Sequence, residues 1–172
     1  SLGLKLGNEC LYYEAVKFKF NKKISSNLIT KISKYNNANN DRDLALQSIG
    51  QGSVLITPIH AASIAAIIAN DGVLIPPYLV SEITDMSGEI IKSFKSAKSE
   101  KIIDSDKAKS IKDMMIYTVK SGTGTKAKIS GINVAGKTGT AENPHGKPHS
   151  WFIGFAPAED PQIAIAVIIE NG

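Results

Sequence analysis

The spacing of hydrophobic and polar positions changes several times along the chain, and each change marks an element. From Asn8 to about Phe20, Leu11, Ala15 and Phe18 fall on one face of a helix, with Asn8 as its expected N-cap. Residues 21–41 lose that period, are rich in Lys and Asn, and read as a long surface loop. Thr57 then stands in capping position before Pro58, the first residue of a helix that stops at Asn70-Asp71-Gly72. Ile59, Ala62, Ala66 and Ile67 keep helical spacing along it. Residues 78–94 read as a hairpin turning at Asp85-Met86-Ser87-Gly88. Ser105 is the expected cap of a further helix that carries Ala108, Ile111 and Met115 and stops near Ser121-Gly122.

Three strands close the chain, near 134–142, 150–156 and 162–170, and their short connections predict an antiparallel meander. The fold class is therefore α+β, an antiparallel sheet flanked by helices. Ile163 to Ile169 is apolar at every position, as is Trp151 to Ala156, which predicts strands covered on both faces. The segments before Ser121 can supply one covering layer, and nothing after Gly172 supplies the other. An apolar sheet face is accordingly expected to stand exposed, leaving the chain to associate or to need further segments.

Length and composition fit one core-forming unit, with 172 residues of which 42% are hydrophobic. The net charge of +4 comes from a Lys-rich surface with Arg42 as the lone arginine. No basic helix carries interleaved aromatics, so nucleic acid is not an expected partner. An anionic wall polymer or membrane surface would gain slightly from the excess. Cys10 is alone, which rules out an internal disulfide and a Cys-based metal cluster. No signal segment is visible, and no apolar stretch approaches the roughly 20 residues of a membrane span.

Candidate chemistry concentrates at Gly136-Lys137-Thr138-Gly139-Thr140. With Gly131, this stretch satisfies G-x-x-x-x-G-K-[ST], the phosphate-loop pattern. That loop needs a buried strand before it and a helix after it, whose first amides cradle the phosphates. Lys126 to Ser130 is too polar for such a strand, and Gly139, Pro144, Gly146 and Pro148 oppose the helix. As a strand, the same residues make chemical sense. Thr138 and Thr140 project to one face and form a hydroxyl clamp for a carboxylate, while Lys137 and Gly139 project to the other. Gly139 lets an extended ligand lie close to the backbone, and Lys137 adds positive charge.

Lys137-Thr138-Gly139 also resembles the third of three motifs shared by penicillin-binding proteins and serine β-lactamases, the others being S-x-x-K and S-x-N. The likeness extends through Val134 to Glu142, Ser150 to Pro157 and Ile165 to Gly172. Upstream it takes in Ser48 to Gly52, Thr57-Pro58, Ala69 to Gly72 and Pro77 to Val80. As a set, these segments resemble the transpeptidase domain of a class B penicillin-binding protein, of the type acting in elongation or division. The resemblance implies a β-lactamase/transpeptidase-like sheet and a peptidoglycan D,D-transpeptidase that cross-links stem peptides through a serine acyl-enzyme. It implies no metal and no organic cofactor. The implied partners are stem peptides, β-lactam antibiotics and other cell-wall synthesis proteins, at the extracytoplasmic face of a bacterial membrane, with an anchor upstream. Thr138 and Thr140 would hold the substrate's terminal carboxylate, and the Thr140 amide would be one oxyanion-hole donor. Lys137 would organise the hydroxyl of the S-x-N motif and attract the carboxylate. Catalytic roles thus fall to Lys137 and Thr140, and substrate binding to Lys137, Thr138, Gly139 and Thr140.

The departures are equally informative. No Ser in the chain has a Lys three positions on, so the nucleophile is expected outside it. Ser25-Ser26-Asn27 matches S-x-N, but the family's counterpart of Phe18-Lys19-Phe20-Asn21 follows its S-x-N, so this triplet reads as a solvated loop. Residues 1–172 are therefore expected to be the C-terminal part of one transpeptidase domain, without its S-x-x-K and S-x-N motifs and its closing helix. Other residues receive plainer readings. His145 and His149 sit in a Pro- and Gly-rich loop that cannot form a zinc-binding helix. His60 reads as packing or surface, Gly122-Thr123-Gly124 as a flexible connector, and Met114, Met115 and Tyr117 as core. Gln51, between two glycines, could line the cleft or serve only its turn, and Trp151 could line the cleft or pack. A D,D-carboxypeptidase, a β-lactamase, a penicillin sensor and a phosphate-loop nucleotide binder remain as alternatives.

Overall fold

The computed structural model describes residues 2–25 and 29–172. Helices α1 (Leu2–Leu6), α2 (Asn8–Lys17), α3 (Asp41–Gln47) and α4 (Pro58–Ala69) precede the short strands β1 (Val73–Leu74), β2 (Glu82–Thr84), β3 (Ile90–Ser93) and β4 (Glu100–Lys101). Helix α5 (Ser105–Ser121) and a 3-10 turn (Thr125–Ala127) lead to β5 (Ala135–Ala141), β6 (His149–Ala156) and β7 (Ile163–Ile169). The last three form the expected antiparallel meander in the order β5-β6-β7. Strands β2 and β3 form the expected hairpin, and β1 pairs with β4.

Helices α4 and α5 pack on one face of the meander, and that contact is the core. Ala65, Ile67 and Ile68 from α4 meet Ala108 and Met115 from α5, Ala135 from β5 and Phe155 from β6. Phe155, Ile67 and Ile102 are among its fully buried large side chains. Thr57 caps α4 by accepting from the His60 N–H, with Pro58 in the first turn, as the sequence implies. Helix α4 is apolar nearly all round, so spacing alone does not identify its inner face. Ala61, Ala65 and Ile68 are buried, whereas Ile59, Ala62 and Ala66 are only half-buried.

Several local expectations are corrected. Gly7, with φ 83°, occupies the N-cap position of α2, and Asn8 lies within the helix. The Asn8 carboxamide instead accepts from the Ala38 N–H and donates to the Ala38 carbonyl, fastening the following segment. That segment is more than a surface loop. Asn21 likewise exchanges two hydrogen bonds with the Tyr35 backbone, and Ile24, Ser33 and Tyr35 are buried. It leads into α3, capped by Asn40 through the Asp43 N–H, which a run of polar residues concealed. Helix α5 starts after Asp104, and Ser105 is its first residue. Met115 is core, but Met114 and Tyr117 are exposed because they lie on the solvent side of α5. No helix among the described residues is long and apolar enough to cross a membrane.

Among the described residues, the opposite sheet face stands largely exposed, as the apolar pattern of β7 implies. Ile163, Ile165, Val167 and Ile169 are 65%, 43%, 46% and 59% exposed, alternating with half-buried residues that face the helices. The α2 end is tied to the core by His60, which is 2% exposed. Its Nε2 lies 2.7 Å from the Phe18 carbonyl and its ring packs against Phe20. A carbonyl partner requires an N–H, so the neutral ring with Nε2 protonated fits the site.

Burial holds the His60 pKa below its ordinary value, more than the Phe18 hydrogen bond raises it. The unfolded chain therefore binds a proton at His60 more readily than the folded chain. His60 contributes no pH dependence well above its ordinary pKa of ~6.5, and stability falls as pH drops through that value towards the lowered one. Gln can keep the N–H donor without titrating. We expect His60→Gln to flatten the decline of melting temperature between about pH 7 and pH 5, as thermal denaturation would measure.

Candidate active site

Strand β5 carries the candidate residues, and its place in the sheet determines what they can do. β6 pairs with it on one side, in a register joining Gly136 to Gly154, Lys137 to Ile153, Thr138 to Phe152, Gly139 to Trp151 and Thr140 to Ser150. Among the described residues, no strand pairs on its other side. Cross-strand partners share a face, so Lys137 and Gly139 lie with Ile153 and Trp151 towards the helices. Thr138 and Thr140 lie with Phe152 and Ser150 on the opposite face, which is the alternation expected from sequence. The phosphate-loop alternative fails here: the residues after Thr138 continue the strand and do not turn into a helix.

Glycine makes this strand thin. A Cβ on Gly136 would stand 2.3 Å from the Phe152 ring, and one on Gly154 would stand 2.5 Å from the Ala135 carbonyl oxygen. The Phe152 ring thus lies across the two paired glycines, on the same face as the threonines. At Gly139 a Cβ would meet Trp151 at 3.3 Å. Trp151 is half-buried beside Gly139, so it packs on the strand flank that also bears Lys137.

The outer edge of β5 carries main-chain groups that β6 does not pair. In an antiparallel ladder, alternate residues turn both N–H and C=O to the same side. Gln51 identifies which residues turn outward: its Nε2 donates to the Thr140 carbonyl at 2.6 Å, and its Oε1 accepts from the Glu142 N–H at 3.2 Å. Thr138, Thr140 and Glu142 therefore point their main-chain groups away from β6. Gln51 sits between Gly50 and Gly52, with φ of 79° and 70°, a turn that brings its side chain to the strand. Its carboxamide thus reaches the free edge of β5. Its carboxamide imitates one peptide unit of a paired strand.

The three polar side chains of the motif differ in their surroundings. The Lys137 ammonium folds back to donate to the Thr138 carbonyl. Its stem helps line a mainly apolar cavity of about 470 Å³, with Phe18, Ile68, Met115 and Ile153 among the walls. Thr140 is exposed. Thr138 is half-buried, and its hydroxyl lies 2.6 Å from that of Thr123. Gly122-Thr123-Gly124 is therefore held against β5, and Thr123 joins the candidate site residues, which its sequence context did not suggest.

Other candidates lie elsewhere. Residues 143–148 form a turn, not a helix, and the His149 Nδ1 accepts from the Asn171 N–H while His145 is exposed. Among the described residues no three His, Cys, Asp or Glu side chains are grouped for a metal. Of Ser25-Ser26-Asn27, Ser25 is buried and so departs from the solvated-loop reading. Ser26 and Asn27 lie outside the described residues.

Comparison with known proteins adds independent findings. The family described as penicillin binding protein transpeptidase domain matches residues 1–172. Peptidoglycan D,D-transpeptidase PbpA of Mycolicibacterium smegmatis is 38% identical over 135 residues, covering 75% of this chain and 27% of that protein. Peptidoglycan D,D-transpeptidase MrdA of Acinetobacter baumannii is 37% identical, covering 73% of this chain and 21% of that protein. Among solved structures, penicillin-binding protein A from M. tuberculosis, as an imipenem acyl-enzyme complex, superposes with a TM-score of 0.93 at 33% identity. That match covers 99% of this chain and 39% of the other. The chain thus spans about a quarter of the length of the curated relatives.

The Gln51 contact yields a direct expectation. Gln51→Ala should free the Glu142 amide and raise its hydrogen-exchange rate about fivefold, the equivalent of one hydrogen bond worth ~1 kcal/mol. Unchanged exchange, measured by NMR, would show that Gln51 does not hold the strand edge in solution.

Proposed function

Since the chain belongs to the penicillin-binding protein transpeptidase domain family, we propose that it is the C-terminal part of one transpeptidase domain in a longer peptidoglycan D,D-transpeptidase. The observation that carries this reading is the open edge of β5, where two threonine hydroxyls and the Lys137 ammonium flank outward-turned main-chain groups. An extended peptide ending in a carboxylate fits such an edge. Its backbone would pair with the strand, and its carboxylate would take the Thr138 and Thr140 hydroxyls. The names of the relatives support the substrate class, and acyl-enzyme complexes of similar proteins with imipenem and penicillin G support β-lactams as ligands.

The reaction is a two-step acyl transfer. A serine supplied from outside residues 1–172 attacks the penultimate D-Ala carbonyl of a stem peptide, and the terminal D-Ala departs with a proton. An amine of a second stem peptide then attacks the ester, releasing the serine and forming the cross-link. The Thr140 N–H, turned outward, stabilises the oxyanion in both steps. Lys137 draws the carboxylate in and holds the neighbouring hydroxyl of the missing S-x-N motif. Gln51 and Trp151 border the groove. β-Lactams take the same path as far as the ester, where the opened ring keeps the leaving amine attached. The longer protein acts at the extracytoplasmic face of the cell membrane, held by an anchor outside this chain, in company with other wall-synthesis proteins.

Thr140→Val keeps the oxyanion N–H and removes one hydroxyl from the carboxylate. In the full-length protein we expect penicillin acylation to slow about ten- to hundredfold, the range for a hydrogen bond to a charged group, with melting temperature nearly unchanged. Stopped-flow acylation at the wild-type rate would remove Thr140 from the site. We expect residues 1–172 alone to form no covalent penicillin adduct by intact mass, whereas the full-length protein gains one. A mass increase on the isolated chain would overturn the assignment of the nucleophile. With a stem peptide and an amine acceptor, the full-length protein is expected to give the cross-linked product; hydrolysis alone would mark a carboxypeptidase.

A further inference from the structure

The turn after α5 is built around one main-chain carbonyl. The Gly122 and Gly124 amides both donate to the Thr118 carbonyl, each at 3.0 Å. A Cβ on Gly122 would stand 3.0 Å from the Thr118 Cα and carbonyl oxygen, and one on Gly124 would stand 3.3 Å from that oxygen. The Thr118 hydroxyl in turn donates to the Met114 carbonyl, anchoring the last turn of the helix. Residues with side chains would push this turn outward. With glycine at both positions, it closes tightly and presents Thr123 to β5, where its hydroxyl lies 2.6 Å from that of Thr138.

Either hydroxyl can donate in this pair, and the direction determines what Thr138 can offer a ligand. A threonine hydroxyl has one proton and two lone pairs. If Thr138 donates to Thr123, it has no proton left for an incoming anion. If Thr123 donates to Thr138, the Thr138 proton is free to point at a carboxylate, and its oxygen is already satisfied. Rotation of two hydroxyls switches between the states without moving a heavy atom. In the second state the bonds run in series, each polarising the next.

We propose that Thr123 is a positioning residue for carboxylate recognition: it donates to Thr138 and so directs the Thr138 proton to the ligand's carboxylate. This rests on the reading of β5 as the strand that binds a terminal carboxylate. Thr123 itself does not touch the ligand. Its absence leaves the Thr138 hydroxyl free to rotate away, so part of the clamp is lost while the strand stays in place.

The test is a double-mutant cycle in the full-length protein, with the second-order rate of acylation by benzylpenicillin as readout. Thr138→Val is expected to slow acylation about tenfold or more, and Thr123→Val about five- to tenfold. Because Thr123 acts through Thr138, the double variant is expected to match Thr138→Val alone. Thr123→Ser, which keeps the donor, is expected within about twofold of wild type, and it reports on the hydroxyl even if the valine variant fails to fold. A wild-type rate for Thr123→Val, additive losses in the double variant, or a Ser variant as slow as the Val variant would each overturn the proposal. If Thr138→Val is slow while Thr123→Val is not, only this inference falls. If Thr138→Val acylates at the wild-type rate, the carboxylate reading of the strand falls and takes the inference with it.

Discussion

The site depends on one strand having a partner on a single side. β6 holds β5 in register through seven residue pairs, and the other edge of β5 keeps its amides and carbonyls available. Unpaired edges are a hazard in most sheets, since they invite any extended chain. Here the hazard is managed locally. Gln51 pairs with Thr140 and Glu142, and the Lys137 ammonium covers the Thr138 carbonyl. The edge is therefore shielded by side chains that a better-fitting backbone can replace, while the ladder to β6 and the packing of Ala135 and Phe155 keep the strand itself fixed.

Most of this arrangement was legible in the sequence because it rests on short-range signals. The alternation of Lys137, Thr138, Gly139 and Thr140 fixed which side chains share a face, and Thr57-Pro58 fixed the start of α4. Composition also revealed the consequence of an all-apolar β7, a sheet face left open on Ile163, Ile165, Val167 and Ile169. What stayed hidden were contacts between distant residues. Asn8 had the identity of a cap but spends its carboxamide on Ala38, 30 positions away. Asn21 does the same with Tyr35, which turns a Lys- and Asn-rich stretch into a partly buried segment. Met114 and Tyr117 show the opposite limit: large apolar residues on a helix need not face inward when the helix covers the core on one side only.

Thr123 is the instructive case. Gly-Thr-Gly after a helix has the composition of a hinge, and nothing in the local pattern separates a hinge from a rigid turn. The difference lies in Thr118, whose carbonyl accepts from both flanking amides and leaves only tight space for a Cβ at either glycine. The same residue type can thus mean freedom or confinement, and only the neighbouring backbone decides which. Gln51 follows the same logic, since two glycines with positive φ give its turn the shape that carries a carboxamide to a strand far along the chain.

The Phe152 ring resting across Gly136 and Gly154 has a consequence for how such a protein can change. A side chain added at Gly154 would collide with the Ala135 carbonyl, and one at Gly136 would have to displace the Phe152 ring, so neither position accepts a larger residue without moving the sheet beneath the β5 edge.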